Sequence, residues 1–172
     1  IISGHKDNDS GAVCADGTTE AATNLRISEQ VIALLQAQGI EAELLSENDP
    51  RLTPNYPAVA VISIHADSCQ DAGATLSGYK TAVSQAVTSP LLQQCIEPIY
   101  GEQTGLKYNV NTITNDMTNY HAFSADQLST VVPAIIIETG FLGGDKALLV
   151  DHSEIPAQAI TDGILCFVEQ LP

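Results

Sequence analysis

Basic side chains are scarce in this chain: six Lys and Arg stand against 21 Asp and Glu, a formal charge of −15 over 172 residues. That balance argues against nucleic acid as a partner, because phosphate recognition draws on clustered Lys and Arg that release counterions. Long apolar runs are missing too. No run exceeds five residues, far below the roughly 18 of a membrane span, and Ala58 to Ile62 and Ala134 to Ile137 are of buried-strand length. The four cysteines, at positions 14, 69, 95 and 166, form no C-x-x-C, which argues against a cysteine zinc cage or a thioredoxin-like redox site. Their even number permits disulfides outside the cytosol in three pairings, with small buried or half-buried thiols as the other reading. Internal repeats, low-complexity tracts and linkers are absent, as is a signal peptide. The chain opens at Ile1 inside an expected strand, as a domain cut from a longer protein would.

What remains is the composition of a soluble globular domain. With 44% hydrophobic and 16% charged residues, disorder is not in question, and the length suits one core, so residues 1–172 read as a single domain. Thr18 and Thr19 are candidate caps for a helix over 20–38, where Ala21, Leu25, Val31, Ile32, Leu34 and Leu35 recur at helical spacing before Gly39. Residues 40–45 alternate as a strand, and 48–57, with Pro50 and Pro54, read as a loop. Continuous apolar runs predict strands over 59–64 and 133–138 that are buried on both faces. A further strand is expected over 74–83, and helices over 89–102 and 155–170 with Pro90 and Pro156 in their first turns. The Asn- and Thr-rich stretch 104–124 reads as loops with a short strand or two. Strands alternating with helices predict an α/β fold, a mostly parallel or mixed twisted sheet with helices on both faces.

Three polar residues, His5, His65 and Glu138, each follow directly on an apolar run. Open α/β sheets bind ligands outside the carboxyl ends of their strands, so such residues converge on one crevice. Glu20 joins them if the first turn of its helix faces the same way. Two His and one Glu are a ligand set of catalytic zinc, and a further carboxylate is suited to proton transfer. Separations of 15, 45 and 73 residues carry no local signature of the H-E-x-x-H kind, and three ordinary hydrogen-bonded residues at strand ends is the alternative.

Four motifs in order narrow the choice. Gly4-His5 with Asp9-Ser10-Gly11-Ala12, Glu20 with Asn24-Leu25, Ser63-Ile64-His65-Ala66-Asp67, and Glu138-Thr139-Gly140-Phe141-Leu142 together resemble the zinc-dependent N-acetylmuramoyl-L-alanine amidases of the amidase 3 type. The likeness implies hydrolysis of the amide bond between N-acetylmuramic acid and L-alanine in peptidoglycan. It implies one zinc ion per chain on His5, Glu20 and His65, with Glu138 as the catalytic carboxylate that deprotonates the attacking water and protonates the leaving nitrogen. A periplasmic or extracellular, cell-wall location follows from that substrate, and a monomer, with other domains of a longer chain possible, is expected. The chain departs from the family's usual pattern in three places. Lys6 and Asp7 stand where two glycines usually follow Gly-His, Leu45-Ser46-Glu47-Asn48-Asp49 where a Thr-Arg-Asp-like turn is usual, and Phe141-Leu142-Gly143-Gly144 where the ending is Phe-Leu-Ser-Asn.

Secondary candidates are Asp9 and Asp67, as acceptors for the imidazoles or as turn caps, and His121, as a substrate contact or a solvated loop residue. His152 lies in an acidic surface-like stretch, and residues 104–120 offer a glycan or peptide rim or an ordinary loop. The chain's shortness leaves little room for a blocking helix, so self-inhibition is not expected. Two rival functions stay open: a zinc carboxypeptidase-like peptidase, which needs an Arg anchor that only Arg26 or Arg51 could supply, and a non-catalytic wall-binding module.

Overall fold

The computed structural model describes residues 1–69, 76–83 and 90–171. Its elements in chain order are β1 (Ile2–Ser3), α1 (Glu20–Ala37), β2 (Val61–Asp67), β3 (Lys80–Ala82), α2 (Pro90–Thr104), α3 (Asn115–Thr118), β4 (Ala134–Phe141) and α4 (Glu154–Glu169). The four strands form one mixed sheet in the order β1-β2-β4-β3, with β1, β2 and β4 parallel and β3 antiparallel to β4.

The two buried strands carry the sheet's alternation. Ile62, Ile64, Ala66, Ile135 and Ile137 turn to one face, where Ile27, Val31 and Leu35 of α1, Leu92 and Ile96 of α2, and Ile160 and Phe167 of α4 cover them. Val61, Ala134 and Ile136 turn to the other, under Met117 of α3 and the side chains of Tyr120, Phe123 and Leu128. Helices thus lie on both faces, long on one and reduced to short turns on the other.

Three expectations change. Residues 40–45 do not form a regular strand: Leu45 alone bridges Ile2, because β1 is only two residues long and offers it no further ladder. The stretch 104–124 holds no regular strand. Short helical turns occupy it at Val110–Thr112, Asn115–Thr118 and His121–Phe123, with Thr114 capping the second, and Tyr108 makes one bridge to Tyr79. The strand expected over 74–83 narrows to Lys80–Ala82; residues 74–75, and Ser89 at the head of the expected helix 89–102, lie outside the described residues.

Candidate active site

His65 and Glu138 lie inside β2 and β4, not after them as expected, since both strands run on to Asp67 and Phe141. They are register partners on neighbouring parallel strands, so their side chains share a face, some 5 Å apart along the ladder direction. Lys80 of β3 pairs with Glu138 from the other side. The row His65, Glu138, Lys80 therefore continues, at the carboxyl ends of the parallel strands, the face that Ser63 and Ile136 begin.

His5 enters from the turn after β1. Its φ of 66° and the 60° of Asp7 lie in the left-handed region, a costly backbone for a non-glycine residue and one Asp tolerates better than most. Asp7 thereby adopts the conformation for which the family's usual glycine is suited. The turn brings His5 Nδ1 within 2.6 Å of Asp9 Oδ1 and His5 Nε2 within 3.1 Å of Glu20 Oε1. Glu20 opens α1 directly after the cap Thr19, whose side chain accepts from Ala22 N–H. The other side of Glu20 Oε1 meets His65 Nδ1 at 3.1 Å, Asn24 Nδ2 donates to the same oxygen at 3.3 Å, and Ala12 N–H donates to Oε2 at 3.1 Å. One ligand atom from each of His5, Glu20 and His65 lies within 4.8 Å of the others. Two glycines make this closeness possible. A Cβ on Gly4 would sit 2.4–2.6 Å from the His65 ring, and one on Gly11 would sit 2.5 Å from Glu20 Oε2 and 2.7 Å from His5 Cδ2.

Burial alone would raise the Glu20 pKa, but hydrogen bonds from His5 and His65 hold it well below the ordinary carboxylate range. The bond to Glu20 lifts His5 to about 9. Burial pulls His65 down, yet Glu20 and Glu47 outweigh it and raise the ring to about 10. Glu138 moves the other way: burial pushes its carboxyl up to about 7, against the pull of His65, and its Oε2 is buried with no hydrogen-bond partner. Without metal, two imidazolium protons sit around one carboxylate. A divalent cation can take the place of such protons, which binding releases.

Three residues that sequence patterns did not single out, Glu47, Tyr120 and Lys80, complete the site, and a fourth, Asp145, braces the strands that carry it. Glu47 and Tyr120 are buried against His65 Nε2, and the Tyr120 hydroxyl donates to Glu47 Oε1 at 2.8 Å. Glu47 lies 73 residues from Tyr120 in sequence, so no local pattern reveals the contact. Lys80 is buried, donates to Asp67 Oδ2 and to Thr112 O, and lies 5.3 Å from the centroid of the Phe141 ring; a lone Lys in the apolar stretch 79–83 was its visible signal. Asp145 ties the ends of β3 and β4 together, accepting from Ser77 Oγ, Gly78 N–H and Phe141 N–H. Asp67 is thus engaged by Lys80 and not by an imidazole, whereas Asp9 does hold His5. His121 and His152 are exposed, the first edge-on to the Tyr120 ring and the second 3.4 Å from Glu154.

The family model described as N-acetylmuramoyl-L-alanine amidase matches residues 1–166. Among solved structures, the amidase AmiC2 of Nostoc punctiforme is 27% identical with a TM-score of 0.74, over 99% of this chain and 96% of that one. The catalytic domain of the amidase CwlV from Bacillus (Paenibacillus) polymyxa var. colistinus is 25% identical with a TM-score of 0.73, over 98% and 96%. An amidase from Clostridium difficile 630, 19% identical over 100% and 96%, shares the fold with a TM-score of 0.75. No curated protein sequence matches the chain.

Proposed function

Since this chain belongs to the N-acetylmuramoyl-L-alanine amidase family, we propose that it is a zinc-dependent peptidoglycan amidase in which His5, Glu20 and His65 hold one metal ion and Glu138 moves the proton. The observation that carries this reading is the gathering of three ligand atoms within 4.8 Å, with a buried, unpartnered oxygen of Glu138 on the same face as His65. Two neutral imidazole nitrogens and one carboxylate oxygen are the donor set of a catalytic zinc site. When bound, zinc supplies Lewis-acid polarisation of the scissile carbonyl and lowers the pKa of a water molecule to roughly 7.

The chain's own residues do the rest. Asp9 holds the His5 ring through Nδ1, which leaves Nε2 facing Glu20. Asn24 and the Ala12 N–H fix the Glu20 carboxylate. Glu138, with its carboxyl raised to about 7 in the metal-free chain, takes a proton from the water as its oxygen attacks the lactyl carbonyl carbon. It returns that proton to the L-alanine nitrogen as the C–N bond breaks. The products are a muramic acid carboxylate and a stem peptide with a free amine.

Residues 1–172 act as one catalytic domain in this reading. Both disulfides, Cys14–Cys69 and Cys95–Cys166, support a place outside the cytosol, periplasmic or in the wall. A carboxypeptidase role finds less support, because Arg26 donates to Val150 O and Arg51 is held by Asp49 and Glu43. The test is metal content by mass spectrometry on the parent and His65→Ala, beside release of stem peptide from purified peptidoglycan. About one zinc per parent chain, lost in the variant together with cleavage, supports the reading. A parent that binds no added zinc overturns it.

A further inference from the structure

Resting on that zinc site, we propose that Glu47 is the positioning residue of His65, its carboxylate accepting the Nε2 proton and so committing Nδ1 to the metal. Two groups face Nε2: Glu47 Oε1 at 3.3 Å and the Tyr120 hydroxyl oxygen at 3.2 Å. The Tyr120 proton is already spent on Glu47 Oε1 at 2.8 Å, and Ser63 Oγ donates to the Tyr120 oxygen at 3.0 Å. A carboxylate only accepts, and this hydroxyl has no second proton to give. Both neighbours therefore present lone pairs to Nε2, and a bare nitrogen there would face two acceptors. Nε2 carries the hydrogen, and Nδ1, 3.1 Å from Glu20 Oε1, is the nitrogen left to donate to a cation.

The ring has little freedom to turn otherwise. Gly4 lies flat against it, with no room for even a Cβ. His65 and Glu47 are 5% and 4% exposed, so solvent does not compete for their contact. Among the described residues, His65 is the only cationic partner of the Glu47 carboxylate. A buried carboxylate without such a partner is costly, which gives the pair a reason to stay together. Glu47 lies in the turn Leu45–Asp49, where the chain departs from the Thr-Arg-Asp-like pattern of its family, and the departure places a charge behind a metal-site imidazole.

The test compares zinc affinity, by competition with a chromophoric chelator, in the parent, Glu47→Gln, Glu47→Ala and Tyr120→Phe, with melting of each metal-free chain as control. Histidine-labelled ¹⁵N NMR of the zinc-loaded parent reads which His65 nitrogen is metal-bound. Expected are zinc on Nδ1 with a proton on Nε2, and a loss of about 10–100-fold in affinity for both Glu47 variants, measured at a temperature where the metal-free melting curve shows each variant still folded. Tyr120→Phe loses less. Zinc on Nε2 of the parent overturns the inference even if every Glu47 variant fails to fold. Parent-like affinity, within twofold, in a folded Glu47→Gln also overturns it while leaving the zinc reading intact. A parent chain that takes up no zinc overturns both.

Discussion

The two disulfides sit in two unlike regions and span similar lengths of chain, 55 residues for Cys14–Cys69 and 71 for Cys95–Cys166. Loop-closure entropy assigns each about 4 kcal/mol, so chain length does not distinguish them. Their surroundings do. Cys95–Cys166 joins α2 to α4 inside an apolar layer where Ile96, Ile160, Ile164 and Phe167 are buried, and close packing already dictates how those helices meet. Cys14–Cys69 joins the loop before Glu20 to the end of the strand carrying His65, at a polar rim where Gly143 also presses on Cys69. Cys14 and Cys69 are half-buried against the edge of that same apolar layer, and beside them lie the hydrogen-bonded polar groups of Glu20 and His65. One crosslink therefore ties two helices that close packing already joins, and the other ties the segment leading into Glu20 to the one leading out of His65.

The largest effect expected is confined to the polar end. Glu138→Gln lowers turnover by about 10²–10⁴-fold while zinc content stays at the parent level, read by stem-peptide release and mass spectrometry. The next contrasts the crosslinks directly. Cys95→Ala/Cys166→Ala loses about 2–5 kcal/mol of stability and leaves the turnover of the folded fraction within roughly twofold. Cys14→Ala/Cys69→Ala loses a similar stability and also about tenfold or more in zinc affinity, by analogy with residues that orient metal ligands. Equal zinc affinity in the two double variants, by chelator competition, would break the comparison.

A smaller effect comes from the charge stored at the site. Between pH 4.5 and 7 the folded chain keeps a proton on Glu138 that the unfolded chain has released. This group therefore costs stability as pH rises through that window, and the full cost stands above it. Metal-free Glu138→Gln is thus more stable than the parent at pH 8, by about 3 kcal/mol at most, and the two converge at pH 4; urea unfolding at both pH values in chelator checks the sign. The smallest effect tests the apolar layer. A Cβ on Gly163 of α4 would lie 2.9 Å from Ile96 Cα of α2, so Gly163→Ala loses about 1–3 kcal/mol of stability and leaves zinc binding unchanged.

Much of the scaffold was legible because its signals are local. Caps, prolines and apolar periodicity placed α1, α2 and α4 within a few residues, and the two apolar runs marked β2 and β4. His5, Glu20 and His65, which the motifs single out, do come together. The alternation over 40–45 misled, because an edge segment needs a partner long enough to pair with, and β1 ends at Ser3. The turns between 104 and 124 were missed because three- and four-residue helices carry too few residues for a period.

Sequence by itself determined which segments are buried, since hydrophobic spacing acts over a few residues; that His5, Glu20 and His65 belong together was implied by the motifs' resemblance to a family, not by their spacing. Only the tertiary structure decided which cysteines pair, that Asp67 answers Lys80 and not an imidazole, and that Glu47 and Tyr120 stand behind His65. Those contacts join residues far apart in the chain, and what selects them is the need of each buried polar atom for a partner once the sheet has closed around it.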